Sequence, residues 1–324
     1  MISEETVFIL GAGANCPYGF PTGAQLRKEI CYDFKRQYLD YVNQKYTTIK
    51  ERDLRRKPIN HFIDTFRDSS TSPIDLFLAE SCNRLKVGKY IVSFKILDAE
   101  QKSHFREQAQ ISHQDWYSYI FNRIRGALKN KGDINRFCEN TVSFITFNYD
   151  RSLEQFFYES LHNSFEVTEQ SIRIMKELKI IHVYGAIAPL DWQDEKSGIK
   201  YGADISEDVL DKTSQNLRII GEVKDNIELT KAHEWIKEAK KIFFLGFGYA
   251  RENMAMLNLP GGIPPCCKVY GTAVNLEAEQ ISDIKNNIIQ TLTPKAEAQG
   301  YFDKGQVSIE AIDCLTLLKK SLRY

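Results

Sequence analysis

Short apolar, β-rich runs alternate along this chain with stretches whose apolar residues recur every three or four positions. Thr6 to Leu10 (TVFIL) is the first such run, and it ends in Gly11-Ala12-Gly13. After a turn from Pro17 to Pro21, Thr22 and Gln25 have the spacing of a capping box, and Leu26, Ile30 and Phe34 then recur at helical spacing. The predicted order is strand, glycine turn, helix. Further β-rich runs are Val142 to Phe147, Lys179 to Val183, Ile242 to Leu245 and Val269 to Gly271, most of them followed by a helical pattern. From about Gln306 a last short strand (VSIEAI) precedes an amphipathic helix carrying Leu315, Leu318 and Leu322. Strands that alternate with helices predict an α/β fold built on a Rossmann-like parallel sheet.

Between the first and second runs the texture changes. From about Lys45 to Asn140 the pattern is almost wholly helical: Ser72-Pro73 reads as an N-cap and N1 proline before Leu76, Phe77 and Leu78, and Trp116, Tyr119, Ile120 and Ile124 form an apolar stripe. We read 45–140 as a helical subdomain inserted into a sheet domain made of 1–44 and 141–324, its aromatics overhanging the C-terminal edge of the sheet. The charges from Lys50 to Lys57 read as a solvated helix face.

Composition narrows the class. The chain has 324 residues, 43% hydrophobic and 27% charged, which suits a globular fold and excludes disordered, collagen-like and coiled-coil chains. Lys plus Arg and Asp plus Glu are both 43, so no global field draws nucleic acid and any such contact is expected to be indirect. Seven cysteines without a C-x-x-C pair, two of them adjacent at Cys266 and Cys267, predict reduced thiols rather than a zinc ribbon or a disulfide framework. With neither a signal-peptide pattern nor an apolar run of membrane-spanning length, a cytoplasmic location is expected and a membrane partner is not.

Three motifs carry candidate chemistry. Gly11 and Gly13 close a buried strand ahead of a helix, where backbone amides can approach a pyrophosphate or simply make a tight turn. Asn148, in Thr146-Phe-Asn-Tyr-Asp150, follows the second run; it can project into a ligand crevice or cap the helix beginning near Arg151. His182, in Ile180-Ile-His-Val-Tyr-Gly185, is flanked by β-branched residues and can be a core residue or a catalyst. The remaining histidines, His61, His104, His113, His162 and His233, have no motif around them and read as structural or solvated.

Taken in order, these motifs resemble the sirtuin family: Gly11-Ala-Gly-Ala-Asn15 with Gly19-Phe-Pro-Thr-Gly23, then an N-x-D loop after a strand, then a strand ending in His followed shortly by Gly. Phe244-Leu-Gly-Phe-Gly-Tyr249 is similar to the family's strand and glycine turn over the NAD ribose and phosphate, and Val274-Asn-Leu-Glu277 to its asparagine segment near the adenosine. The resemblance spans roughly Val7 to Glu277, the helical insertion excepted. It departs from protein deacylases in two places: no four-cysteine zinc module lies between Gly185 and Ile242, and Thr22-Gly23-Ala24 stands where they carry D-F-R. With these departures the chain is instead similar to sirtuin-like NAD hydrolases of bacterial anti-phage defence.

That resemblance implies NAD as substrate and no metal, with Asn148, His182 and Asp150 in the chemistry. It implies NAD contacts at Gly11, Ala12, Gly13, Asn15, Pro21, Thr22, Gly246, Gly248 and Asn275. It also implies a homo-oligomer and, as in some related systems, a separate ATPase or nuclease partner chain. In this reading Asn148 orients water or a ribose hydroxyl, Asp150 holds the ribose or Asn148, and His182, titrating near ~6.5, accepts a proton. Two other readings stay open: a non-catalytic module that senses NAD or ADP-ribose, and a zinc-free deacylase or ADP-ribosyl transferase.

Overall fold

The computed structural model describes residues 1–71, 73–103, 105, 113–126, 128, 130–223, 227–259, 263–264, 266–299 and 306–322, with the backbone alone for 292–299. Six strands, β1 (Thr6–Leu10), β2 (Val142–Thr146), β3 (Lys179–His182), β4 (Lys241–Leu245), β5 (Lys268–Thr272) and β6 (Val307–Glu310), pair in parallel in the order β3-β2-β1-β4-β5-β6. Each β-rich run of the sequence is one of these strands. β1 and β2 are buried along their whole length, which is why they read as continuous apolar runs rather than as alternating ones.

An aromatic ladder accompanies the register. Phe144, Phe8, Phe243 and Tyr270 stand opposite one another on β2, β1, β4 and β5, with successive ring centroids 5.2, 5.3 and 4.9 Å apart. Slipping any of these strands by one residue would turn its ring to the other face, so stacking and burial select the same pairing.

After β1 the chain forms a short 3-10 segment, Ala12–Tyr18, and enters α1 (Gly23–Tyr32) through the capping box: the Gln25 amide donates to Thr22 Oγ1 at 3.2 Å and the Thr22 amide to Gln25 Oε1 at 2.7 Å. The helical path bends at Asp33, and Phe34 begins α2 (Phe34–Lys45). The described residues of 45–140 are helical in α3 (Ile49–Asp68), α4 (Ile74–Ala79), α5 (Cys82–Lys102), α6 (Trp116–Arg125) and a 3-10 segment, Lys131–Glu139. Pro73 occupies the N-cap of α4 in extended backbone rather than its first helical position; Ser72 and His104 lie outside the described residues. The remaining helices are α7 (Ser152–Phe165), α8 (Thr168–Glu177), α9 (Glu207–Asn216), α10 (Ile227–Glu238), α11 (Arg251–Met256), α12 (Ala278–Gln299) and α13 (Cys314–Ser321). Apolar residues of the 45–140 helices and of the sheet belong to one continuous core.

One ion pair crosses that core. Arg151, just before α7, is fully buried and binds Glu100 near the end of α5 through two bonds, Nε to Oε1 at 3.0 Å and Nη2 to Oε2 at 2.7 Å. Its Nη1 also donates to the carbonyls of Pro189 and Ile199, at 3.1 and 2.6 Å, so a single guanidinium ties an inserted helix to the loop beyond β3. Glu100→Ala would leave that charge buried without a counter-ion, and we expect a loss of about 3–5 kcal/mol in urea denaturation. Lys212→Ala, which breaks a surface pair with Asp208, should cost less than about 1 kcal/mol.

Candidate functional site

The sheet changes growth direction between β1 and β4, the place where open parallel sheets leave a crevice at their C-terminal edge. The turns that follow these two strands touch backbone to backbone. Gly11 N–H donates to the Leu245 carbonyl and Gly13 N–H to that of Gly246, both at 3.0 Å. A Cβ on Gly246, whose φ is +56°, would stand 1.8 Å from the Ala14 nitrogen; one on Gly11 or Gly13 would stand 2.6 or 2.8 Å from the Gly246 carbonyl oxygen. Glycine at these positions is therefore demanded by contact between two turns. The Gly11 and Gly13 amides point into that contact and not toward a pyrophosphate.

Asn15, in the same turn, is buried and joins a polar cluster. Its Nδ2 donates to both oxygens of Asp150, at 2.9 and 2.8 Å, and its Oδ1 accepts from the Tyr117 hydroxyl at 3.1 Å. Asp150 also accepts the Ser152 amide at 3.1 Å and the Ser152 hydroxyl. Burial pushes the Asp150 carboxyl above its ordinary range, against the pull of the Ser152 and Asn15 hydrogen bonds. Trp116 closes the cluster from above, its indole N–H donating to the Ala14 carbonyl at 2.7 Å.

Asn148 connects this cluster to the next strand. Its amide nitrogen Nδ2 donates to the Gly11 carbonyl at 3.2 Å, so the side chain ties the loop to the glycine turn and does not cap α7. Among the described residues its Oδ1 receives no hydrogen bond, which leaves an acceptor at the strand ends. His182, opposite Thr146 in the β2-β3 register, brings Nδ1 to 2.9 Å from the Asn148 carbonyl oxygen and Nε2 to 2.6 Å from Oε1 of Glu154 on α7.

Both neighbours of the imidazole are acceptors, which favours the doubly protonated ring. Burial alone would push His182 down, but the Glu154 carboxylate, its hydrogen bond and the Asn148 carbonyl outweigh it and raise the group to about 9. The ordinary titration near ~6.5 expected from the sequence is thus displaced, and the resting ring is a cation held against a carboxylate. Glu154 Oε2 is buried and has no partner among the described residues. His182 and Glu154 form part of the wall of a cleft of about 540 Å³ along the outer side of β3, whose rim carries Lys176, Arg218 and Glu228.

Gly11, Gly13, Asn15, Asn148, Asp150 and His182 are thus drawn together, and Gly246 packs on the turn from the β4 side. Ala12 shares that turn. Thr22 caps α1 with Pro21 half-buried beside it; Gly248 is exposed, and apart from its chain neighbours no described residue comes within 4 Å of where a Cβ would stand; Asn275 is exposed after β5 at φ +66°. None of these last four bonds to the polar cluster. Sequence reading missed Glu154, Ser152 and Tyr117. The i, i+4 spacing of Asp150 and Glu154 is a usable signal for the first, but Tyr117 lies within an aromatic stripe that reads as core.

Among the described residues, no group of three or more His, Cys, Asp or Glu side chains is gathered as a metal site, and no helix is long and apolar enough to cross a membrane. All seven cysteines are free thiols. Comparison with protein-family models and with curated protein sequences returns no match.

The His182 shift makes stability pH-dependent. Its pKa is raised in the folded chain, so unfolding releases a proton, and the contribution is complete below ~6.5 and lost as pH rises through about 9. The urea midpoint should fall across that window, and His182→Gln should flatten the fall.

Proposed function

We propose that this chain is a sirtuin-like NAD glycohydrolase that converts NAD and water to ADP-ribose, nicotinamide and a proton. The observation that carries the reading is the hydrogen-bond path at the strand ends: glycine turn to Asn148 side chain, Asn148 carbonyl to His182 ring. It ties the Asn148 backbone to the imidazole and the Asn148 side chain to the glycine turn, which supports the reading that the two motifs of the resemblance serve one site. The six-stranded order with its reversal at β1/β4 supports the same reading, since dinucleotides bind at that reversal in folds of this kind.

The chemistry asks little of the protein beyond placement. Nicotinamide in NAD is a cationic leaving group; the C1′–N bond breaks with its electron pair going to the ring, and water adds to the ribose carbon. Asn148 Oδ1 is suited to accept from that water or a ribose hydroxyl, and the carboxylates nearby stabilise positive charge developing on the sugar. Gly248 and Asn275, exposed after β4 and β5, have room to meet the phosphate and adenosine ends, together with Ala12. Asp150, committed to Asn15 and Ser152, holds the turn and the loop in place. We further propose that the protein acts in the cytoplasm as an abortive-infection effector, controlled by self-assembly or a separate partner chain.

A second reading, ADP-ribosyl transfer, stands beside it, since the cleft of about 540 Å³ has room for an acceptor larger than water. Product analysis separates the two: free ADP-ribose or a modified acceptor. Asn148→Ala and His182→Ala, checked for folding by circular dichroism, should each lower NAD consumption by about 10²- to 10⁴-fold. Full activity in either folded variant would sink the assignment.

A further inference from the structure

The His182 ring has no free nitrogen. Nδ1 faces a backbone carbonyl, which can only accept, and Nε2 faces Oε1 of Glu154 at 2.6 Å. A base needs an unengaged lone pair within reach of the proton it removes, and neither ring nitrogen offers one in this arrangement. Glu154 keeps an unengaged oxygen: its Oε1 is tied to the ring, its Oε2 is buried and, among the described residues, unpartnered, and the residue lines the cleft beside β3. An unsatisfied carboxylate oxygen is costly in the interior unless a donor arrives from outside.

We infer that Glu154 is the proton acceptor of this site, its Oε2 taking the proton of an O–H or N–H nucleophile that enters the cleft while His182 holds Oε1. The inference rests on the glycohydrolase reading for the identity of the electrophile, the ribose carbon of NAD. As the nucleophile's oxygen or nitrogen bonds to that carbon, its proton passes to Oε2 and the C1′–N electron pair leaves with neutral nicotinamide. The carboxylic acid so formed then returns its proton to solvent. His182 fixes the carboxylate's orientation through the bond to Oε1. The other charged groups facing the pair are Asp150 and Arg151 on the loop after β2 and, around the cleft, Lys176, Asp194, Arg218 and Glu228. Arg151 is taken up by Glu100, and Arg218 pairs with Glu228.

Glu154→Gln tests this, because an amide keeps the size of the side chain and an acceptor for Nε2–H but removes the base. Two readouts are taken on the full chain. Titration of the His182 ring by NMR, which needs no turnover, should move from about 9 in the wild type to ~6.5 or below in the variant. With NAD as probe, kcat should drop by about 10²- to 10⁴-fold with KM changed far less. Glu154→Asp, which keeps a carboxylate at shorter reach, should restore part of kcat. Wild-type kcat in folded Glu154→Gln, or an unmoved His182 titration, would overturn the proposal. Absence of NAD cleavage by the wild type would instead overturn the glycohydrolase reading, and the ring titration would then decide the Glu154–His182 pair on its own.

Discussion

The site depends on two backbone turns being allowed to touch. Where the chain leaves β1 and β4, the carbonyls of Leu245 and Gly246 accept the amides of Gly11 and Gly13 at 3.0 Å, a distance that no side chain at Gly11, Gly13 or Gly246 would permit. Once that contact is made, the outer side of the β1 turn becomes a row of fixed hydrogen-bonding groups. The Gly11 carbonyl receives Asn148, the Ala14 carbonyl receives Trp116, and Asn15 donates to Asp150 and accepts from Tyr117. Residues from β2, its following loop and α6 are thereby aligned on one short segment.

The polar groups drawn to this segment lie under a cover of aromatic rings, so each must find a partner inside the protein. Most do. Asp150 is surrounded by donors, and Arg151 carries the charge of Glu100 across the core. Glu154 is half satisfied: one oxygen is bound by His182, the other by no group among the described residues. Glu154 also lines an open cleft, and the imbalance separates a structural carboxylate, Asp150, from one that still has bonding capacity, only four residues away.

The register of the sheet links these local facts. Leu10, Thr146 and His182 stand at neighbouring positions on β1, β2 and β3, so the loops leaving them begin at one level and their side chains meet without long reaches. The same level on the other side of β1 is Leu245, from which the β4 turn departs. Stacking of Phe144, Phe8, Phe243 and Tyr270 two residues earlier favours that alignment independently of the site.

The six strands and the capped entry to α1 are visible in the amino-acid order alone. A doubly covered parallel strand must be a short apolar run, and a capping box is a relation between residues three apart. The meeting of Asn148 and His182 could be anticipated only through the resemblance their motifs carry together. The partners of the site were hidden. Tyr117 looks like one more ring in a helical stripe, and Glu154 like one more acid on an amphipathic helix, because burial and charge pairing arise from neighbours 28 to 102 residues away. Likewise a glycine's letter cannot say whether it admits a ligand or another backbone; the pairing of β1 with β4 decided for Gly11 and Gly13. Periodicity and turn chemistry are short-range and survive in the linear chain, whereas protonation, satisfaction of polar atoms and strand order are properties of the packed interior and exist only once it has formed.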